Sequence, residues 1–546
     1  MARQAKMAIM DNYRWQHIKR DAKSNRSLSQ TKSIATRKST FISKEHLLAS
    51  LKNRLSQFIS QVVFAHFHLL TSRRVPPHNL QSTTHSVATM NTNLGDDPGP
   101  RVKSPTVPGD KDNLFRLNTR SYSRQFFALY QQRLQQLKPR TDAQALEKWG
   151  DGTRRVDGQT IVRKEKILDI ASGELCWVLG TVFADLRKKL NILNDVEKGI
   201  DDVMPALPPT YVDPEDGLLM LEDDSGRAVL HNDELLQNLG LVTGCFVAVL
   251  GIEIQAGIFE AMEIICPTPA PQRPLGEPKP EKRYLAIVSG IMFSDAGDLL
   301  TVLLQQWLCG ELGGATDAEA ARQILRLIIA GDLVSESKPV VSDTSFGSKN
   351  TSRFLGLAVS HFSTWLAQIA TSLPVTIMPG QSDPAETCLP QQPIHRALLG
   401  ASGRFSGGPE LLVHAATNPA WIELDTGARV LGTAGQNILD ILKYSPGTPS
   451  LDQILTVMER TLRWQHIAPT APDTLFCYPY EECDPFALDE TPHVYFAGNQ
   501  MEAGWRDVDV SGNKVKVISV PRFCESKQIV LVDVATLEAK IVNFSI

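Results

Sequence analysis

The chain has 546 residues, 42% of them apolar and 21% charged, a composition typical of a soluble globular protein. Its length exceeds what one hydrophobic core organises, so we expect two or three domains. No stretch approaches the roughly 20 apolar residues that span a bilayer, and the eight cysteines form no Cys-x-x-Cys pair, which argues against a membrane protein, a zinc module and a disulfide framework.

The net charge of −4 conceals an uneven distribution of charged residues. Residues 1–90 contain 15 Lys or Arg and 3 Asp or Glu, so the rest of the chain is acidic. An acidic body is a poor general binder of nucleic acid, because the neutralisation of phosphates requires Lys and Arg. We therefore expect any association with DNA to run through partners or through a local patch.

The first 112 residues are basic and rich in Ser and Thr, then in Pro and Gly. They predict a disordered segment with at most one isolated helix within residues 42–70. Such a sequence fits an organellar transit peptide, or a tail for nuclear import or DNA tethering. A third interpretation is that residues 1–89 are not native and that Met90 is the true start.

Residues 113–164 predict N-terminal helices. Apolar side chains recur at every third or fourth position from Phe126 to Leu137, which indicates one amphipathic helix. Pro139 is expected to end this helix, because proline cannot donate a backbone hydrogen bond. A second, short helix should follow at residues 142–150.

Residues 165–267 change to a pattern of short strands, with tight turns predicted at 224–226 and 255–257. About five strands in this length fit a small closed barrel like the OB-fold. These strands carry few aromatic and few basic side chains. The pattern therefore favours a structural or protein-binding barrel over one that binds single-stranded nucleic acid.

A proline-rich linker at residues 268–283 precedes a domain of residues 284–546, in which apolar strands alternate with helices. Each predicted strand ends in Gly, Asn or Asp and therefore delivers a loop to the sheet edge. This pattern predicts a layered α/β domain with two sheets. Capping boxes mark two helix starts, Thr316 with Glu319 and Ser450 with Gln453.

The loops of this α/β domain resemble, in their order, those of calcineurin-like metallophosphoesterases. The positions that carry the resemblance are Gly331-Asp332, Gly380 to Asp383, and Gly498-Asn499. The resemblance implies a two-sheet fold with two metal ions held by Asp, His and Asn side chains, which generate an attacking hydroxide.

This sequence departs from that family at most ligand positions. In chain order, the first loop places Ser289 where the family has Asp-x-His, and the second loop is Gly331-Asp332. The third loop has Gln381 and Ser382 in place of the family's Asn and His, and the last loop has Gly498 and Asn499 in place of Gly-His-x-His. We therefore predict no catalytic residue, no metal site and no cofactor. The vestigial positions are Asp332 and Asp383 with Ser289, Gly331, Gly380, Gln381, Ser382, Gly498 and Asn499.

An OB-like barrel followed by such a domain resembles the B-type accessory subunits of replicative DNA polymerases, and most specifically the small subunits of DNA polymerase delta. The most specific stretch is LRWQHIAPTAPDTLFCYPYEECDPF at residues 462–486, and the resemblance covers about 113–546. It implies a nuclear, non-catalytic scaffold that bridges the Cys-rich C-terminal domain of the catalytic subunit and a third subunit. DNA and the sliding clamp would be reached through the complex.

A loop within that stretch is a candidate partner contact, because it mixes aromatic, proline and acidic residues. Its candidate residues are Tyr478, Tyr480, Asp484, Pro485 and Phe486. The alternative is that this loop packs internally. Two rival functions also stay open: an active metal-dependent phosphodiesterase or 3′ exonuclease with relocated ligands, and an OB protein that binds single-stranded DNA alone.

Overall fold

The computed structural model describes most of the chain beyond residue 110. The described residues are 86–88, 101, 111, 113–122, 125–189, 208–212, 217–276, 282–336, 356–406 and 411–545. The isolated helix expected within residues 42–70 lies outside them, as does most of the segment for which disorder is predicted. None of the described helices has the length and apolar character needed to cross a membrane.

The few described residues of the N-terminal segment contact the α/β domain. Strand β1 (Ser86–Ala88) pairs in parallel with the strand Ala539–Phe544. The Arg101 guanidinium donates to the carbonyl oxygens of Leu308 (2.5 Å) and Ala321 (2.6 Å). Helix ends leave such carbonyls without partners, and the guanidinium supplies their donors.

The first helix, α1 (Phe127–Trp149), continues through Pro139, so the prediction of two helices broken at this proline is wrong. Its buried residues are spaced four apart: Leu129, Arg133, Leu137, Thr141, Ala145 and Trp149. This single face packs on both sides of Pro139. Burial of a continuous face outweighs the roughly 3 kcal/mol that an internal proline costs.

The barrel follows α1 and contains short strands, one helix and a 3₁₀ turn at Ile167–Asp169. The elements between α1 and the α/β domain are, in chain order, β2 (Arg155–Val156), β3 (Gln159–Thr160), β4 (Val162–Lys164), β5 (Leu175–Asp185), β6 (Leu218–Glu222), β7 (Arg227–His231), α2 (Asp233–Leu239), β8 (Phe246–Gln255) and β9 (Ile258–Ile265). Strands β2 and β3 form a separate two-stranded sheet. Strands in the order β4-β5-β6-β7-β9-β8 form one sheet, which closes because β5 also pairs with β8.

Both predicted turns of the barrel are confirmed. Asp223 accepts hydrogen bonds from the backbone N–H groups of Ser225 (2.7 Å) and Gly226 (2.9 Å), which closes the first turn. The second turn lies between β8 and β9. Strand β4 was not foreseen; it falls in the region expected to be helical and pairs in parallel with β5, giving the sheet a sixth strand.

The α/β domain follows in chain order. Its elements are β10 (Tyr284–Val288), α3 (Leu299–Cys309), α4 (Ala315–Arg322), β11 (Ile324–Ala330), α5 (Gly356–Ile369), β12 (Val375–Met378), β13 (Val413–Ala415), β14 (Ala420–Glu423), β15 (Arg429–Thr433), α6 (Gln436–Leu442), α7 (Leu451–Arg463), β16 (Val494–Gln500), β17 (Gly504–Val510), β18 (Asn513–Pro521), α8 (Phe523–Ser526), β19 (Gln528–Asp533) and β20 (Ala539–Phe544). A kinked 3₁₀ segment covers Arg396–Ser406.

Two mixed sheets form this domain, as predicted. The first has the strand order β1-β20-β19-β10-β11-β12-β13 and the second the order β14-β15-β16-β18-β17. Between the sheets lie apolar side chains such as Ile287 and Ile328 from the first sheet and Val430, Phe496 and Ile518 from the second. Strands β10, β11, β12 and β13 run in parallel, so their carboxyl ends meet at one edge.

One hydrophobic core continues from the barrel into the α/β domain. It contains Val178 and Val249 of the barrel together with Leu431, Met458 and Tyr495 of the α/β domain, all of them buried. The predicted linker also packs on the α/β domain: Ala270 N–H donates to Gln465 Oε1 (2.7 Å). The two domains are therefore joined by packing as well as by the chain.

A buried ion pair connects α1 to both domains. Arg133 donates to Asp484 Oδ2 (2.8 Å), and both side chains are at most 1% exposed. The Arg133 guanidinium also donates to the carbonyl oxygens of Gly244 in the barrel (3.3 Å) and of Pro469 and Ala471 in the α/β domain (2.9 and 2.8 Å). A side chain at Gly244 would collide with Pro469 O at 2.0 Å, so glycine is required there.

The same carboxylate binds His466, whose Nε2 lies 2.9 Å from Asp484 Oδ2. Although burial would raise the pKa of Asp484, His466 and Arg133 hold it well below its usual range. Burial and the charge of Arg133 lower the pKa of His466 to about 4. At neutral pH the group is therefore an anion between a guanidinium and a neutral imidazole.

These contacts correct part of the predicted partner contact. Asp484, Pro485 and Phe486 are buried, and Asp484 is engaged by Arg133. A partner cannot reach these three residues, so the prediction is wrong for them and the alternative of an internally packed loop is right there. Tyr478 and Tyr480 are half-buried.

We predict that Asp484→Asn lowers the free energy of unfolding by about 3–5 kcal/mol, because it leaves Arg133 buried without a counter-charge. Denaturant unfolding monitored by tryptophan fluorescence would measure the loss. Asp489→Asn is the matched control, since Asp489 is 67% exposed and pairs with Lys111, and exposed pairs contribute at most about 1 kcal/mol. Equal stability of the two variants would contradict the assigned role of Asp484.

We also predict that His466 makes the protein less stable as pH falls from about 6.5 to about 4. Its folded pKa is about 4 and its unfolded value about 6.5, so the unfolded state binds the proton first and folding weakens by up to about 1.4 kcal/mol per pH unit. Stability should be measured at pH 7 and pH 5 for the wild type and His466→Gln. The wild type should lose more; identical losses would show that His466 is not the titrating group.

Candidate functional site

The structure brings the predicted vestigial loops together at the edge where the parallel strands end. A Cβ atom added to Gly331 would lie 2.8 Å from Gly380 Cα. One added to Gly498 would lie 2.6 Å from Ala330 O and 3.0 Å from Ser289 Cβ. These close approaches need glycine at Gly331 and Gly498, so the loop glycines have a structural use of their own.

Asp383 is buried and its carboxylate caps two loops. Oδ1 accepts hydrogen bonds from the backbone N–H groups of Leu333 (2.7 Å) and Val334 (3.1 Å), and Oδ2 accepts one from Gly380 (2.7 Å). Burial and the charge of Asp332 raise the pKa of Asp383 to about 7, while the three amides oppose that rise. The amides already use both oxygens of the acid.

Asp332 is also buried and adopts a left-handed backbone conformation with φ 53°. Its Oδ1 accepts a hydrogen bond from the backbone N–H of Ser382 (3.0 Å). The Arg522 guanidinium lies 3.9 Å from its Oδ2 and is 36% exposed. A cationic side chain of this chain thus lies next to the Asp332 carboxylate.

Ser289 and Asn499 bind each other and the backbone. The Asn499 N–H donates to Ser289 Oγ (2.8 Å), and Ser289 Oγ donates to the carbonyl oxygen of Pro521 (3.0 Å). The Asn499 amide donates to the carbonyl oxygens of Ala330 (3.2 Å) and Ala434 (3.0 Å). Its Oδ1 is buried without a hydrogen-bond partner. Both side chains therefore tie strand ends together.

The two replacements in the third loop point in different directions. Ser382 Oγ donates to the carbonyl oxygen of Val334 (2.7 Å), so this side chain joins the second and third loops. Gln381 is exposed. Neither side chain supplies the imidazole or amide ligand that the family resemblance would require at these positions.

A network of three amide side chains, which the sequence analysis did not single out, is hydrogen-bonded to the third loop. Gln391 Nε2 donates to the carbonyl oxygen of Gly380 (2.9 Å), and Asn418 Nδ2 donates to Gln391 Oε1 (2.8 Å). Gln436 Nε2 also donates to Gln391 Oε1 (2.8 Å). The sequence does place polar residues directly after predicted strand ends. It does not show that these side chains bind each other, because the partners come from distant segments.

The two histidines in the strands of this domain have other environments. The Arg429 N–H donates to His493 Nδ1 (2.9 Å), and His493 Nε2 donates to the carbonyl oxygen of Arg273 (2.8 Å). Burial lowers the pKa of His493. Burial, Arg326 and Arg116 lower the pKa of His414 to about 4.

The donor set can be tested against the dinuclear centre that the fold resemblance implies. Such a centre needs several nitrogen and carboxylate ligands together. Here Asp383 accepts three backbone N–H hydrogen bonds, Ser289 and Asn499 bind the backbone, and the Arg522 guanidinium lies 3.9 Å from Asp332 Oδ2. Within the described ranges, no group of three or more His, Cys, Asp and Glu could hold a metal ion. The residues present do not fit the group.

Comparison with known proteins agrees with this two-part architecture. Residues 125–264 match the family described as "DNA polymerase delta subunit OB-fold domain". Residues 285–504 match the family of B-type subunits of DNA polymerases alpha and epsilon. The match to a solved structure of a "Novel Archaeal Phosphodiesterase" covers 47% of this chain and 98% of that one at 12% identity, with a TM-score of 0.23.

Curated relatives extend the match over most of the chain. The "DNA polymerase delta small subunit" of Saccharomyces cerevisiae is 35% identical over 470 residues, which cover 80% of this chain and 93% of that protein. The "DNA polymerase delta subunit 2" of Drosophila melanogaster is 36% identical over 80% of this chain and 96% of its own length. On this similarity the chain belongs to the DNA polymerase delta small subunit family.

Proposed function

We propose that this chain is a non-catalytic scaffold within DNA polymerase delta, acting in the nucleus during DNA replication. In this proposal it bridges the Cys-rich C-terminal domain of the catalytic subunit and a third subunit. It meets DNA and the sliding clamp only through the assembly. The membership of the chain in the small subunit family supports the accessory role, and the geometry of the vestigial loops supports the absence of catalysis.

The observation that carries the proposal is the use of Asp383. Its two carboxylate oxygens accept hydrogen bonds from three backbone N–H groups. The side chain thus stabilises the loops without a metal ion. The acid that the phosphoesterase resemblance most plainly retains is therefore engaged in holding the second and third loops together.

The rival function as a single-strand-binding OB protein has less support. Phe183 is the half-buried aromatic of β5 that stands closest to basic groups, with Lys189 and Arg227 each 4.8 Å from its ring centroid. Lys189 pairs with Asp473 and Arg227 pairs with Glu222. These acids compete with phosphates for the same cations, which weakens any direct binding of single strands.

We predict that the purified chain with Mn²⁺ hydrolyses phosphodiester substrates at the background rate. Asp332→Ala should leave that rate unchanged, since no metal-bound hydroxide depends on it. Asp383→Asn should lower the free energy of unfolding by about 1–3 kcal/mol through the amide left unpaired, equally with and without Mn²⁺.

Measurements of turnover and of denaturant unfolding, with Mn²⁺ and with a chelator, check both statements. A metal that bound through Asp383 would stabilise the wild type by mass action and not the variant. Cleavage that Asp332→Ala abolishes would replace the scaffold proposal by the rival of an active phosphodiesterase or exonuclease.

We further predict that the full chain captures both partners when it is co-expressed with the catalytic chain and the third subunit. Each stable contact should bury about 1,200–2,000 Å² and survive size-exclusion chromatography. If this chain is left out, the other two should elute separately. Direct association of the catalytic chain with the third subunit in its absence would contradict the bridging role.

A further inference from the structure

Arg522 follows β18 directly, and its backbone is fixed between the first and the last vestigial loop. The Arg522 N–H donates to the carbonyl oxygen of Gln500 (3.2 Å), and the N–H of the next residue, Phe523, donates to that of Ser289 (2.8 Å). Arg522 and Ser289 also form a parallel bridge. The two loops therefore fix the point from which the Arg522 side chain starts.

Gly290 leaves room for the Arg522 side chain. A Cβ atom added to Gly290 would lie 2.8 Å from Arg522 Cγ and 2.8 Å from Asn499 Oδ1, so a side chain here would collide with both. The backbone of Gly290 has a φ of 58°, which also favours glycine. The stem of Arg522 thus runs past the first loop beside the Asn499 amide.

Two oxygen atoms along the Arg522 side chain accept no hydrogen bond from the described residues. Asn499 Oδ1 lies beside its stem, and Asp332 Oδ2 lies beside its guanidinium. Both residues are at most 4% exposed, and the hydrogen bond that the Asp332 carboxylate accepts from Ser382 is on Oδ1. Burial of a carboxylate without a counter-charge is costly. This place therefore requires a positive charge, either from a side chain or from an ion.

Arg522 brings the positive charge that the structure shows at this place. Its Nη2 lies 3.9 Å from Asp332 Oδ2, which is an ion pair without a direct hydrogen bond. Its Nη1 lies 3.7 Å from Glu525 Oε1, but the Glu525 side chain is 67% exposed and that of Asp332 only 5%. Solvent screens an exposed pair much more than a buried one. The guanidinium therefore stabilises Asp332 more than Glu525.

We propose that Arg522 supplies at these loops the positive charge that the phosphoesterase resemblance assigns to metal ions, and that it thereby excludes divalent cations from Asp332. A divalent ion beside this carboxylate would meet the guanidinium at close range, and like charges repel each other there even in water. The inference goes beyond the proposed function, since it concerns the loops themselves and holds whether or not the chain bridges two subunits.

The test compares Mn²⁺ binding by the full chain and by its variants, measured as loss of the electron paramagnetic resonance signal of free Mn²⁺. Arg522→Gln should bind Mn²⁺ at least about tenfold more tightly than the wild type, because it removes a unit charge beside a divalent ion. This readout does not depend on catalytic activity. A cooperative thermal transition without Mn²⁺ should show that each variant is folded.

Two further variants separate the charge from the shape of the side chain and assign the site. Arg522→Lys keeps the charge and should bind Mn²⁺ as weakly as the wild type. Arg522→Gln combined with Asp332→Asn should lose the gained binding, and asparagine tolerates the left-handed backbone of Asp332. Arg463→Gln is the matched control, since Arg463 is an exposed arginine that pairs with Glu459 (2.7 Å); it should leave Mn²⁺ binding unchanged.

Unchanged Mn²⁺ binding by Arg522→Gln would overturn the inference, and so would tight binding by the wild type or by Arg522→Lys. Mn²⁺-dependent cleavage of phosphodiesters by the wild type would overturn both the inference and the proposed absence of catalysis. Gained binding by Arg522→Gln without cleavage would support the inference and leave the scaffold role in place.

Discussion

The buried pair of Arg133 and Asp484 is the constraint on which the packing of α1 against the α/β domain depends. Removing two charges from water is costly, and such a pair is tolerated only when the remaining hydrogen-bonding groups are satisfied. Here the guanidinium also meets carbonyl oxygens of the barrel and of the α/β domain. A shift of α1 against the α/β domain would leave a buried charge unpaired, and a shift of the barrel would remove the hydrogen bond to Gly244. The guanidinium therefore favours one arrangement of these three parts.

At the sheet edge, the predicted vestigial site also satisfies buried hydrogen-bonding groups. Loops that end parallel strands leave backbone N–H groups without partners, and buried donors must be satisfied. Asp383 satisfies three of them, and Ser289 with Asn499 satisfies further groups. The carboxylate is thus needed by the backbone whether or not a metal is present. This explains how a phosphoesterase-like loop keeps its shape while its other ligand positions hold serine, glutamine and asparagine.

The sequence was sufficient for the features that depend on neighbouring residues. The barrel turn at Asp223 to Gly226 and the capping box of Ser450 with Gln453 are confirmed. The box of Thr316 with Glu319 was wrong, because the helix is capped at Gly314, whose N–H donates to Asp317. Packing between distant segments determines three other features, and local periodicity does not encode it. These features are the continuity of α1 through Pro139, the separate strands β13 and β14, and the burial of Asp484.

A scaffold gains from the continuous core that joins barrel and α/β domain. Association costs conformational freedom wherever a partner must order a mobile surface. Val249 of the barrel shares one core with Met458 and Tyr495 of the α/β domain. These parts are therefore already ordered when the chain has folded, before a partner binds. More of the area buried against a partner then appears as affinity. The proposed scaffold role does not require loops that move during catalysis, so rigidity and the proposed bridging role favour each other.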